Sequence, residues 1–300
     1  MSQSIIPDYL HQLSIPTPFP VGPVNVYLAE GEKLTLVDTG PRSEPARETL
    51  HNGLKEFGYQ VSDLQRIVLT HAHADHCGLA AELVAESGAE VWTHGENVER
   101  LGNDGDAGRM AFYARLLRWA GVPLSVMMQL ASVQRGLHRY AEPLTPDCLV
   151  TDGDRLELGR DAWQVLHTPG HTGGLICLYQ PDRHLLLSSD HLLRDISTNA
   201  MVDPPPPGST ERPRRLVEYL AQLRRVAQLD VELTLPGHGP PITDHRALIE
   251  ERLTFHRERG RRILETLDDR CLTSEYLNSE TFTGEQVTRE QVTREPLTAY

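Results

Sequence analysis

Positive charge is in short supply. Lysine and arginine together number 29 against 42 aspartates and glutamates, which leaves a net charge of -13. A diffuse negative surface repels phosphate backbones, so nucleic acid is disfavoured as a partner. Cysteine is scarce as well. The four cysteines, Cys77, Cys148, Cys177 and Cys271, form no C-x-x-C pair. No disulfide framework is expected, and a reducing cytoplasm is the simplest setting. No apolar run nears the roughly 18 residues that a membrane-spanning helix needs, so no membrane partner is expected. The opening MSQSIIPDYLHQLSIP lacks a basic segment followed by a continuous apolar stretch, so no secretory leader is expected. What remains, 39% hydrophobic and 24% charged residues over 300 positions, suits a globular chain able to bury a core.

The apolar pattern alternates between strand and helix. VNVYLAEGEKLTLVDTG (24–40) reads as a hairpin around EGEK. Leu50, Leu54 and Phe57 set a helix over 43–58 that stops at Gly58. LQRIVLT (64–70) and AEVWTH (89–94) read as strands on either side of a helix at 78–88. This rhythm predicts a layered α/β domain. Further strands are expected at 154–159, 162–168, 174–180, 184–190 and from 230, and a long helix over 244–267. The proline-rich loop 203–213 precedes another helix, with Ser209 or Thr210 as its cap and Leu216, Leu220 and Leu223 as its buried face.

Residues 97–147 break the rhythm with two helical stripes. Met110, Tyr113, Leu117 and Ala120 form the first, and Val126, Leu130, Val133, Leu137 and Tyr140 the second. The stripes either bury against each other and the body or cap a site, with Met and Tyr facing an apolar substrate group. A homodimer interface through this insertion is a further reading. The expected organisation is a catalytic unit over 1–245 that includes the insertion, a C-terminal helix over 246–270 packed on it, and a polar tail over 271–300 that repeats EQVTR.

Histidine is abundant, with 14 copies. RIVLTHAHADHCG (66–78) places His71, His73, Asp75 and His76 directly after an apolar run. Small residues at 72 and 74 leave room for alternate side chains to aim at two points. Two Pro-Gly-His turns, at His171 and His238, also follow apolar runs, and Asp190 ends another. Imidazole and carboxylate groups from four strand ends are the donors that zinc needs.

In that order the set resembles the metallo-β-lactamase superfamily, and within it the glyoxalase-II-like hydrolases. LVDTG (36–40) matches as well. The resemblance covers about residues 20–245 apart from the insertion, and it implies a four-layer αββα sandwich with a helical insertion and a C-terminal helix. It implies two divalent metal ions, zinc foremost, with iron or manganese as alternatives. His71, His73 and His171 would hold the first ion, and Asp75, His76 and His238 the second. Asp190 would bridge them, with Asp75 and Asp190 as the catalytic carboxylates. Asp38 would orient the histidines from behind, and His191 would support the bridge. The implied activity is hydrolysis of an ester-type bond in a small molecule, a thioester or lactone first, by a metal-activated water. Phosphodiester or ribonuclease chemistry, a metal-holding sensor or partner-binding role, and a one-iron persulfide dioxygenase stay open. Dedicated glyoxalase II enzymes follow the last histidine with an acidic-aromatic pair, where this chain has GHGPP.

Overall fold

The computed structural model describes residues 6–102, 106–206 and 208–266. The expected tail with its EQVTR repeat, the end of the C-terminal helix beyond 266, and Cys271 lie outside the described residues. Eleven strands among the described residues form two sheets. The first contains β1 (Leu10–Ile15), β2 (Val24–Ala29), β3 (Thr35–Val37), β4 (Arg66–Val68), β5 (Glu90–His94) and β6 (Cys148–Val150), in that order. Pairing is antiparallel from β1 to β3 and parallel from β3 to β6. The second contains β7 (Arg155–Leu158), β8 (Asp161–His167), β9 (Ile176–Gln180), β10 (Leu185–Ser189) and β11 (Leu233–Pro236), in the order β11-β10-β9-β8-β7. Only its β10–β11 pair is parallel. The helices are α1 (Glu44–Glu56), α2 (Ala74–Cys77), α3 (Ala80–Ser87), α4 (Val98–Leu101), α5 (Asp106–Trp119), α6 (Leu124–Leu137), α7 (Arg215–Ala227) and α8 (His245–Thr266).

The two-residue repeat of a strand sends alternate side chains to opposite faces, and both faces of these strands are apolar. In β2, Val24, Val26 and Leu28 join Leu50, Leu54 and Leu83 of α1 and α3 in one core. Tyr27 and Ala29 turn the other way, into a core between the sheets with Trp163, Val165, Ile176 and Leu187. Leu166, Cys177 and Leu186 face outward from the second sheet against Tyr219, Leu223 and Val226 of α7 and Ile249 of α8. Three stacked cores make four layers, which is the expected αββα sandwich. Ser43 caps α1 by accepting from the Ala46 amide, and the amphipathic spacing does the rest.

Several local expectations fail for identifiable reasons. β1 is not evident in the sequence because His11 and Gln12 interrupt its apolar pattern, yet it pairs with β2 along its whole length. α7 starts later than expected, after Arg214, and neither Ser209 nor Thr210 caps it. That start turns Tyr219, Leu223 and Val226 inward, while Leu216 is 45% exposed. The second stripe of the insertion is not buried: Val126, Leu130 and Val133 are all exposed. In the first, Met110 and Tyr113 line a cleft.

Trp163 is fully buried between the sheets, and its indole N–H donates to the Leu158 carbonyl at 3.1 Å. Trp163→Ala should therefore lower unfolding free energy by about 3–5 kcal/mol in urea denaturation; a loss under about 1 kcal/mol would show that this core is not close-packed.

Candidate metal centre

The sandwich brings several strand ends to one edge. β4 leads into the loop and short helix that carry His71, His73, Asp75 and His76. β8 leads into the turn that holds His171, β10 ends at Ser189 next to Asp190, and β11 runs into His238. The β10–β11 register shifts between Leu187 and Ser189, a bulge that re-aims the chain just before Asp190. Ser189 adopts φ 46° and Asp38 φ 60°, left-handed conformations that non-glycine residues rarely keep without a surrounding that enforces them. Gly237 lies where a Cβ would stand 2.5 Å from Asp190 Oδ1 and 2.9 Å from the His76 ring, so only glycine lets the chain pass this close.

All seven predicted ligating residues meet at this edge, as two trios with Asp190 between them. His71 Nε2 and His171 Nε2 lie 3.0 and 2.9 Å from His73 Nδ1. Asp75, His76 and His238 form the second group, with His238 Nε2 at 3.4 Å from Asp75 Oδ2. Asp190 stands between them. Its Oδ1 faces His76 Nε2 at 3.4 Å and His238 Nε2 at 3.7 Å, and its Oδ2 faces His171 Nε2 at 3.6 Å. One oxygen thus serves each trio.

The electrostatics suit cations. Burial and the neighbouring histidines hold His71 well below the usual imidazole range. Burial, with the like charge of His171, brings His73 down to about 3, and burial also lowers His171. Kept neutral, three ring nitrogens this close can turn their lone pairs together on a single cation. Asp75 is drawn down to about 2 because the histidines around it, His238 first, outweigh burial. For Asp190 burial is again outweighed, by His76, His238 and His171, and the carboxyl falls far below its ordinary range. Burial would lower His76 too, but the carboxylates of Asp190 and Asp38 raise it well above the ordinary value, so this position attracts positive charge. His76 Nε2, His238 Nε2 and Asp190 Oδ1 are buried and have no hydrogen-bond partner among the described residues. Three orphaned donor atoms facing one point fit a bound metal ion.

Outer contacts fix which nitrogen faces inward. His76 Nδ1 meets Asp38 Oδ2 at 2.7 Å. His171 Nδ1 meets the Asn199 carbonyl at 2.9 Å and His238 Nδ1 the Pro23 carbonyl at 2.8 Å. Each acceptor places the hydrogen on Nδ1 and leaves Nε2 free for a metal. Thr70 donates from its amide and hydroxyl to Asp38, and its oxygen lies 2.7 Å from the Ser189 hydroxyl on the other sheet. Thr70 escapes a reading of the sequence because nothing marks a threonine before a histidine; Asn199 and Pro23 act through carbonyls, which carry no residue signature.

His191 is placed elsewhere. Its ring packs 5.6 Å from that of Tyr219, and neither nitrogen finds a hydrogen-bond partner among the described residues. It therefore does not hold the bridge by a hydrogen bond. Asp190 also groups with His71 and His76, and, away from these residues, His94, Glu96 and His167 gather ligand atoms as well. There the two rings stack at 3.8 Å and 15°, so their lone pairs run side by side, and Glu96 pairs with Arg215. A cleft of about 180 Å³ adjoins His73, lined in part by Arg100, Arg109, Met110, Tyr113 and Leu137.

An αββα sandwich with two facing His/Asp trios at one edge has the architecture of a metal-dependent hydrolase. Residues 19–238 match the model of the metallo-beta-lactamase superfamily, and the chain belongs to that superfamily. The probable metallo-hydrolase YqjP of Bacillus subtilis (strain 168) is 34% identical over 264 residues, which cover 87% of this chain and 81% of the relative. The acyl-coenzyme A thioesterase MBLAC2 of Homo sapiens is 27% identical over 228 residues, 71% of this chain and 72% of the relative. Among solved structures, the metallo-beta-lactamase family protein TTHA1429 from Thermus thermophilus aligns with a TM-score of 0.77 at 31% identity, covering 88% of this chain and 84% of its own.

Asp38→Asn should weaken zinc binding about 10–100-fold while leaving the fold intact, measured by competition with a chelator; unchanged affinity would remove Asp38 from the site. Acid stability gives a separate check. Burial lowers His191 to about 3, so the folded chain keeps it neutral. The unfolded chain takes up the proton below about pH 6.5, so this residue costs stability as pH falls from there towards about 3. His191→Phe should narrow the stability gap between pH 7 and pH 5 in urea titrations; an unchanged gap would mean that another group causes the acid sensitivity.

Proposed function

We propose that the protein is a binuclear metal-dependent hydrolase acting on an ester-type bond of a small molecule, with a thioester or lactone as the leading substrate class. The observation that carries this reading is the pair of trios shared through Asp190 at the mouth of an apolar cleft. His71, His73 and His171 would hold one ion and Asp75, His76 and His238 the other. Zinc suits this nitrogen-rich donor set, and iron or manganese are the alternatives. Two bound divalent cations supply Lewis acidity and bring the pKa of a shared water towards neutrality.

The chain's own residues do the rest. Asp190 lies between the two groups, Oδ1 towards His76 and His238 and Oδ2 towards His171, and would contribute a carboxylate to both ions. Asp75 and Asp190 stay ionised at neutral pH, as metal-ligating carboxylates must. Asp38 locks the His76 ring, and the Asn199 and Pro23 carbonyls lock His171 and His238. No serine or cysteine nucleophile is needed: burial pushes the Cys77 thiol up to about 12, which keeps it protonated and unreactive. Met110, Tyr113 and Leu137 offer an acyl chain an apolar wall beside His73; Arg100 and Arg109 line the same cleft, paired with Asp203 and Glu99. An acyl-coenzyme A thioesterase among the relatives supports the thioester reading, as does a net charge of -13, which is unfavourable for a polynucleotide substrate.

A panel of acyl thioesters, lactones and bis-p-nitrophenyl phosphate tests this with purified, metal-loaded protein. Turnover is expected on a thioester or a lactone; turnover on the phosphodiester alone would overturn the acyl reading. Metal analysis should find about two ions per chain, and one iron per chain would redirect the reading to oxygen chemistry. Asp190→Ala should reduce kcat by about 10²–10³ or more with the circular dichroism spectrum retained; near-normal turnover would contradict the bridging role.

A further inference from the structure

The helical pair α5–α6 has two unlike sides. One lines the cleft through Met110, Tyr113 and Leu137. The other turns Leu124, 68% exposed, and Met128, 65%, to solvent, and Trp119 at the end of α5 is 64% exposed; Val126, Leu130 and Val133 are exposed as well, on the stripe of α6 that runs on to Leu137. Six of the twelve exposed large hydrophobic residues among those described therefore fall within one short stretch, 119–133. Isolated exposed apolar residues are ordinary, but a contiguous group marks a surface that meets something.

Charge says what it meets. Between Ala107 and Tyr140 the sequence has five arginines, at 109, 115, 118, 135 and 139, and no aspartate or glutamate, in a chain whose net charge is -13. Arg115, Arg118 and Arg139 are exposed. A two-fold contact between copies would bring the same arginine-rich patch to both sides, with no acidic group from 107 to 140 to oppose it. Apolar side chains flanked by guanidinium groups, with a tryptophan near the turn, match the requirements of an anionic lipid surface. There the apolar groups enter the acyl boundary while the cations meet headgroup phosphates. The acidic remainder of the molecule is repelled by such a surface, which orients the protein with this hairpin downward.

We propose that the outer face of α5–α6 docks the protein on the surface of an anionic lipid bilayer. The lack of a spanning run concerns crossing a membrane and does not bear on lying against one. The proposal is independent of the hydrolase reading. It also gives the cleft a location, since the opposite side of the same helices faces the metal centre.

The test is cosedimentation of the metal-loaded full chain with vesicles of phosphatidylcholine containing phosphatidylserine, and with phosphatidylcholine alone. Binding to the mixed vesicles is expected, with a blue shift of tryptophan emission and marked weakening in high salt. Arg115→Glu with Arg118→Glu should weaken partitioning at least about tenfold, and so should Leu124→Glu with Met128→Glu. These side chains are exposed, so both pairs of substitutions should keep the melting temperature and the metal content of the parent. Failure to bind mixed vesicles at low salt would overturn the proposal. A dimer in analytical ultracentrifugation that the Leu124/Met128 pair dissociates, without vesicle binding, would assign the face to a second copy instead.

Discussion

The His76 imidazole is held between two carboxylates, and the rest of the site depends on that clamp. Asp38 grips one nitrogen at 2.7 Å, and Asp190 faces the other at 3.4 Å. The ring is wholly buried, so the two negative charges are screened by little except what sits between them. Burying such a set is costly unless positive charge compensates it. The backbone around it accommodates this demand. Asp38 and Ser189 both take left-handed conformations, and these belong to the two segments that bring the carboxylates in from opposite sheets. Local strain is thus concentrated where the donor geometry is set.

The same clamp explains the hierarchy of contacts outside it. Thr70 joins Asp38 on its own sheet to Ser189 on the other, so hydrogen bonds tie the acid behind His76 to the chain before Asp190. Carbonyls behind His171 and His238 do for those rings what Asp38 does for His76. The cleft beside His73 adds a second environment, part apolar and part arginine, next to a centre that is otherwise all imidazole and carboxylate. The metal-ligating groups and the cleft lining are therefore carried largely by different elements.

Much of this can be read from the chain. His71, His73, Asp75, His76, His171, Asp190 and His238 stand out because ligating side chains at strand ends are visible as residue types. The layered sandwich follows from strongly apolar strands interleaved with helices. What stays hidden is equally physical. β1 disguises its apolar pattern with His11 and Gln12, and only its pairing with β2 makes it a strand. His191 neighbours Asp190 in sequence, but successive residues leave a chain in different directions, and its ring goes to Tyr219. The stripes of α5 and α6 show that these helices have apolar faces. Periodicity alone does not say whether such a face meets protein, solvent or something else.

One feature of the layout reaches beyond chemistry. The first sheet and its loops supply His71, His73, Asp75 and His76, and the second sheet's loops supply His171, Asp190 and His238. The ligand set therefore straddles the seam of the sandwich and spans most of the chain between positions 71 and 238. Any ion seated there would rivet the two halves together at one edge, as a cross-link would, and would favour the folded state by an energy that grows as the logarithm of the free ion concentration above its dissociation constant. Among the described residues three cysteines are free and no disulfide joins them, so an ion at this edge would be a cross-link between the two sheets that no covalent bond among those residues supplies.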